Sequence, residues 1–255
     1  MSIELNLDMM EENIKSRVTS FSEEILSNVS EKLCDIYLVG PAARGEFSTS
    51  NPEITLLLVY SEISIDTLDK IAKLGKTFGK KGIRAPILLT KEYITGAQDS
   101  FAMELLDLSL NHIHLGGGHS LNNVAVDNSD LRLQCERECR SWRLRLRANY
   151  LKSAGDATWL NRWFVESVAD LFQMLRATAY LLDINVKVGN TEIANSLSEK
   201  IGLDMNKIVK VWEHRKNSTA PAKGDSRVIF TEWDAMLTKL ENLIDGLQIT
   251  ATEND

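Results

Sequence analysis

The residues of this chain whose types and spacing could do chemistry fall into a few groups. The first is the passage YLVGPAARGEFSTSNPEITLLLV, Tyr37 to Val59, in which two apolar runs flank a glycine-containing turn. A triphosphate that approaches a turn closely needs residues with little or no side chain and open backbone N–H groups. Gly40 meets the first need, whereas Pro41 removes one backbone donor. A second group is the arginine-rich stretch LRLQCERECRSWRLRLRANYLK, where Arg140, Arg143 and Arg147 share one helical face. Such a face could contact phosphate or RNA, but pairing with Glu136, Glu138 and acids of neighbouring helices is the preferred reading. His112, His114 and His119 form a third group, and no acid or cysteine completes a metal-ligand set with them at a convincing spacing. Cys34, Cys135 and Cys139 are odd in number and lack metal-ligand spacing, so they read as reduced structural thiols.

The passage from Tyr37 to Val59 resembles the signature of the nucleotidyltransferase superfamily that includes the aminoglycoside and the minimal bacterial nucleotidyltransferases. That signature has a Gly-Ser turn after the first strand, then often Ala-Arg-Gly, then Asp-x-Asp on the next strand. Gly40, Ala43, Arg44 and Gly45 match it, while Pro41 stands in place of the serine. The resemblance implies that Gly40, Pro41, Arg44 and Gly45 face the nucleotide and that Glu53 and Thr55 occupy the two metal-binding positions. Alternate residues of a strand share a face, so two acids there would hold Mg²⁺ together. Thr55 is neutral, which leaves Glu53 as the one metal ligand. The family's third acid, the base that takes the proton from the attacking hydroxyl, maps to Glu104 or Asp107 in FAMELLDL, read as a strand. The stretch from Leu105 through Leu121 is also similar to its counterpart in bacterial nucleotidyltransferases of this size.

These residues require elements to position them. Met10, Ile14, Val18, Phe21 and Ile25 recur at three- and four-residue steps and predict an amphipathic helix from about Leu7 to Leu33. CDIYLVG and EITLLLVY read as strands, Ser64 to Phe78 as a helix, RAPILLT as a strand and Lys91 to Gln98 as a helix. No convincing strand is expected beyond Gly116 to Gly118. From Asp130 the chain reads helical over Leu131–Leu151, Thr158–Leu182, Thr191–Ile201, Asp204–Lys216 and Thr231–Leu247. The second of these, with Trp159, Trp163, Phe164, Val168, Leu171, Phe172 and Leu175, suits the centre of a bundle. The expected fold is α+β: a nucleotidyltransferase-like mixed sheet with helices over residues 1–125, an all-α helical bundle over 126–250, and a disordered tail at 251–255.

A formal charge of −7 argues against a surface that coats nucleic acid in general. The start MSIELNLDMMEEN lacks a basic, apolar leader, and no run of about eighteen apolar residues follows, so a cytoplasmic protein without membrane association is expected. The functional expectation is a catalytically impaired nucleotidyltransferase-fold module that binds a nucleoside triphosphate or a partner. The alternative is an active Mg²⁺-dependent enzyme that moves a nucleoside monophosphate onto a hydroxyl acceptor. The helical half could also form a protein interface, a homodimer among them.

Overall fold

The computed structural model describes residues 3–8 and 10–247. The predicted tail at 251–255 lies outside the described residues. The chain divides into two compact units, one of Met1–Gln98 with Leu108–Ala125 and one of Asp99–Asp107 with Val126–Asp255.

The first unit is built on a four-stranded sheet of β1 (Leu33–Val39), β2 (Thr55–Tyr60), β3 (Ile87–Thr90) and β4 (His112–Gly117), in the order β3-β2-β1-β4. β1 runs antiparallel to both β2 and β4, and β2 runs parallel to β3, so the sheet is mixed. Ahead of it comes α1 (Glu12–Val29), which buries Ile14, Val18, Phe21, Ile25 and Val29 along one stripe, as the periodicity predicts. That stripe packs with Ile36 and Leu38 of β1, Leu56, Leu58 and Tyr60 of β2 and Leu115 of β4. α2 (Ile65–Phe78) starts at Ser64, whose hydroxyl accepts from the Thr67 N–H at 3.2 Å, and its last residue Phe78 packs edge-on against Phe21 at 4.9 Å. α3 (Lys91–Gly96) is capped in the same way by Thr90.

Two expectations need correction here. FAMELLDL is not a strand: α4 runs from Ala102 to Leu110. Its buried residues Ala102, Met103, Leu105 and Leu106 fall in the paired spacing of a helix, and Ala, Met, Glu and Leu are strong helix formers, so propensity and period agree against extended structure. The strand that completes the sheet is instead β4, HIHLGG, running into the glycines read as an interruption. Those glycines serve close backbone approach. A Cβ on Gly117, at φ +101°, would stand 2.1 Å from the Cys34 carbonyl, and one on Gly116 would stand 2.6 Å from the Glu4 carbonyl. Asn6 also donates its backbone N–H to the Leu115 carbonyl at 2.7 Å, which covers part of the exposed edge of β4.

The second unit contains α5 (Asn128–Lys152), α6 (Ala157–Leu181), α7 (Asn190–Ile201), α8 (Asn206–Lys216) and α9 (Ser226–Asp245), with most of α4. Asp127 and Asp156 cap α5 and α6 through their carboxylates. α6 is the central helix expected, burying Leu160, Phe164, Val168, Leu171, Phe172 and Leu175, although Trp159 and Trp163 are half-buried at its flank. Trp233 of α9 meets Phe164 edge-on at 5.0 Å and Trp142 of α5 at 6.3 Å. Among the described residues no helix is long and apolar enough to cross a membrane.

Candidate active site

The turn that follows β1 is a single short 3₁₀ segment, Pro41–Arg44. Gly40 precedes it at φ 74°, ψ −156°, a conformation that only glycine adopts without strain, and Gly45 closes it in the left-handed region at φ 71°. Pro41 stands at the first position, where its fixed φ suits the turn, and its carbonyl accepts from the Glu46 N–H at 2.9 Å. A side chain added at Gly40 would meet nothing within 4 Å, so the space in front of the turn is open.

The acids and bases predicted to surround this turn are placed unevenly. Thr55 opens β2 opposite Val39, and Val39 in turn faces His112 of β4, so the three form one cross-strand row at the Gly40 end of the sheet. Glu53 lies two residues ahead in the same first unit, 8% exposed. The chain there is held beside the segment before β3 by a parallel bridge between Ile54 and Ile83, with Arg84 N–H donating to the Ile54 carbonyl at 2.8 Å. From that position Arg84 turns its guanidinium onto the Glu53 carboxylate in a charge-assisted hydrogen bond. Arg44 does not extend from the turn: its side chain is 10% exposed, and its Nε donates to Glu46 at 3.3 Å.

The two candidate bases lie in the other compact unit and have partners there. Glu104 accepts from the Gln134 side-chain amide at 2.7 Å, and the same Gln134 accepts the Met103 N–H. Asp107 receives the Nε of Arg176 at 3.2 Å. Arg176 is only 4% exposed in its side chain, and it also donates to the carbonyls of Val186 and Val188 and to Asn190. Glu104 and Asp107 stand three residues apart on the helix α4, not on the strand expected of FAMELLDL.

A divalent cation does not fit the donors at the turn. Glu53 is already paired with Arg84 and Glu46 with Arg44, Thr55 carries no charge, and the neighbouring strand β3, Ile87–Thr90, contributes no carboxylate. Among the described residues no group of three or more His, Cys, Asp or Glu is placed to hold a metal. Nothing local in the sequence marks Arg84, because an arginine ahead of a short apolar strand looks like any exposed cation. The signal lies in its register with Glu53, which pairing alone reveals.

The remaining chemistry-bearing residues are structurally engaged. Arg140 pairs with Glu136 and Glu241, Arg143 with Glu241 at 2.5 Å, and Arg147 with Asp234 at 3.1 Å, all within the second unit. This ladder between α5 and α9 is the pairing preferred from sequence over a phosphate contact. Cys135 and Cys139 are buried, and burial pushes both thiols up to about 12.

A mixed four-stranded sheet with helices, a glycine turn between its first two strands and a following helical region together define the α+β nucleotidyltransferase fold. One solved structure similar to this chain is spectinomycin adenyltransferase AAD(9) from Enterococcus faecialis, determined with ATP and spectinomycin. The match has a TM-score of 0.56 at 10% sequence identity and covers 90% of this chain and 98% of that one, which is a likeness of fold. No protein-family profile matches the sequence, and no curated protein matches it.

Proposed function

We propose that this protein is a nucleotide- or partner-binding module on a nucleotidyltransferase fold, in which metal-dependent transfer is impaired. The observation that carries this reading is the ion pair of Glu53 with Arg84, beside a neutral Thr55. In a metal-dependent site the cation offsets both the carboxylates and the phosphates, and it binds poorly where a guanidinium already pairs with the carboxylate. The Gly40 turn keeps its glycine backbone and the open space before it, so Gly40, Pro41 and Gly45 are the residues assigned to phosphate contact, with Arg44 supporting the turn through Glu46.

Calorimetry with ATP in Mg²⁺ and in EDTA tests the reading. Binding of similar affinity in both supports a metal-independent nucleotide site, and no binding in either leaves the partner-binding form. Tight binding that requires Mg²⁺, together with pyrophosphate release, would overturn it.

A second reading, active transfer of a nucleoside monophosphate onto a hydroxyl, is favoured by the likeness to an adenyltransferase over nearly the whole length of both chains. It needs Glu53 to leave Arg84 for Mg²⁺ and one of Glu104 or Asp107 to act as base, although both of these have protein partners. Turnover of ATP in the presence of spectinomycin or other hydroxylated acceptors would establish it.

A further inference from the structure

Away from the Gly40 turn, the same sheet carries a cluster of titratable groups that the proposed function does not use. Asp35, near the start of β1, is fully buried. One of its carboxylate oxygens accepts from the Ser120 hydroxyl at 2.5 Å. The other has no hydrogen-bond partner and faces Nε2 of His114, itself buried and unpartnered, across 3.9 Å. The His114 ring in turn lies against the His119 ring, with centroids 4.1 Å apart. His119 and Ser120 begin the turn Ser120–Asn123, which walls a crevice of about 490 Å³ together with Lys91, Ile94 and Thr95.

Two buried polar atoms that face each other across a gap too long for a hydrogen bond are costly for both. A proton on the imidazole resolves this, because both ring nitrogens of the imidazolium are donors, so Nε2 carries an N–H and the ring a positive charge toward the carboxylate. The same proton disfavours the present stack on His119. We propose that His114 and Asp35 form a proton-operated latch: uptake of a proton by His114 draws it toward Asp35, loosens its contact with His119 and re-seats the His119–Asn123 turn that shapes the crevice.

The groups that face His114 are Asp35 and Tyr37 from β1, His112 from its own strand and His119 from the following turn, and Lys91 lines the crevice beside His119. Burial and then the His119 ring hold His114 below the ordinary imidazole value of 6.5, against the upward pull of the Gly118 backbone and Asp35. The neutral form therefore belongs to the conformation described, and the latch works as pH falls through this lowered value.

Nuclear magnetic resonance on the intact protein tests the latch by following histidine ring and backbone amide signals from pH 8 to pH 5. His114 is expected to titrate below 6.5, and the amides of Gly118 to Asn123 to shift with the His114 midpoint. His114→Gln should remove that shared transition, while His119→Gln, which takes away the ring that holds His114 down, should raise the His114 midpoint and weaken the response of the turn. Asp35→Asn should lower the His114 midpoint further. Amides that stay still through the His114 transition, that follow the His119 midpoint, or that keep their transition in His114→Gln would each overturn the proposal. The wild-type titration decides the matter even where a variant fails to fold.

Discussion

Arg84 reaches Glu53 across the parallel bridge between Ile54 and Ile83, and its guanidinium pairs with a carboxylate that is almost fully buried. The pairing is diagonal across the bridge, since Glu53 stands one residue before Ile54 and Arg84 one residue after Ile83, ahead of β2 and β3. Glu53 is almost fully buried and Arg84 is about half exposed, so the carboxylate depends on the arginine more than the arginine depends on it.

Arg84→Ala should therefore lower stability by about 1–2 kcal/mol, less than for a fully buried pair because solvent screens the exposed partner. Chemical denaturation of the variant checks this, and Glu53→Gln in the same background should restore part of the loss.

Metal dependence should be recoverable by design. Thr55→Asp supplies a second carboxylate and Pro41→Ser a backbone N–H and a hydroxyl, but the ion pair must also be removed by Arg84→Ser. The triple variant is expected to bind Mg²⁺–ATP roughly one to two orders of magnitude more tightly than the wild type, with the gain lost in EDTA. Calorimetry that finds no gain would show that the pocket itself does not admit the nucleotide.

Two glycines should respond differently to alanine. At Gly40 a Cβ meets nothing within 4 Å, so the cost is backbone strain alone, about 1–3 kcal/mol. At Gly117 the positive φ is joined by a 2.1 Å contact with the Cys34 carbonyl, and the loss should be about 3 kcal/mol or more, with the pairing of β1 and β4 disturbed. Thermal melts of the two single variants, compared side by side, test the order.

The thiols should separate into two kinetic classes. Cys34 is half-buried, whereas Cys135 and Cys139 are buried and held near 12. A thiol reagent at neutral pH is expected to modify Cys34 in the native protein and the other two only on unfolding, because the thiolate is the reactive form. Mass spectrometry before and after denaturant gives the count.

Much of this fold is legible in the sequence because its elements announce themselves by period. α1 shows a 3.6-residue stripe, β1 and β2 are apolar runs bounded by turn residues, and the five C-terminal helices fall close to their expected spans. The fourth strand is not legible. HIHLGG has two histidines on one face and ends in glycines, and its strand character comes from pairing with β1 and from the close approach of Cys34 and Glu4 to the glycines. FAMELLDL misleads in the opposite sense, since short apolar runs fit either state until the paired spacing is weighed. At the candidate site, Gly40, Glu53 and Thr55 are proposed by motif, but the partners of Glu53 and Asp107 are set by tertiary contacts that no local pattern encodes.

Arg176 should be among the most sensitive positions in the helical unit. It gathers the carbonyls of Val186 and Val188, the Asn190 side chain and Asp107 at 4% side-chain exposure. Arg176→Met should cost about 3–5 kcal/mol, because it strands several buried acceptors at once, and Asp107→Asn about 1–2 kcal/mol. Urea midpoints of the two variants give the comparison.

The bond between Asp107 and Arg176 also bears on how a genetic screen of this protein would read. Asp107 lies in the stretch where the motif places a proton acceptor, so a null phenotype at that codon invites a catalytic interpretation. The phenotype would arise from protein abundance, as a destabilised α4–α6 contact is cleared by proteolysis, and it would be suppressed at low growth temperature or by second-site stabilising changes. A defect in chemistry would persist under both.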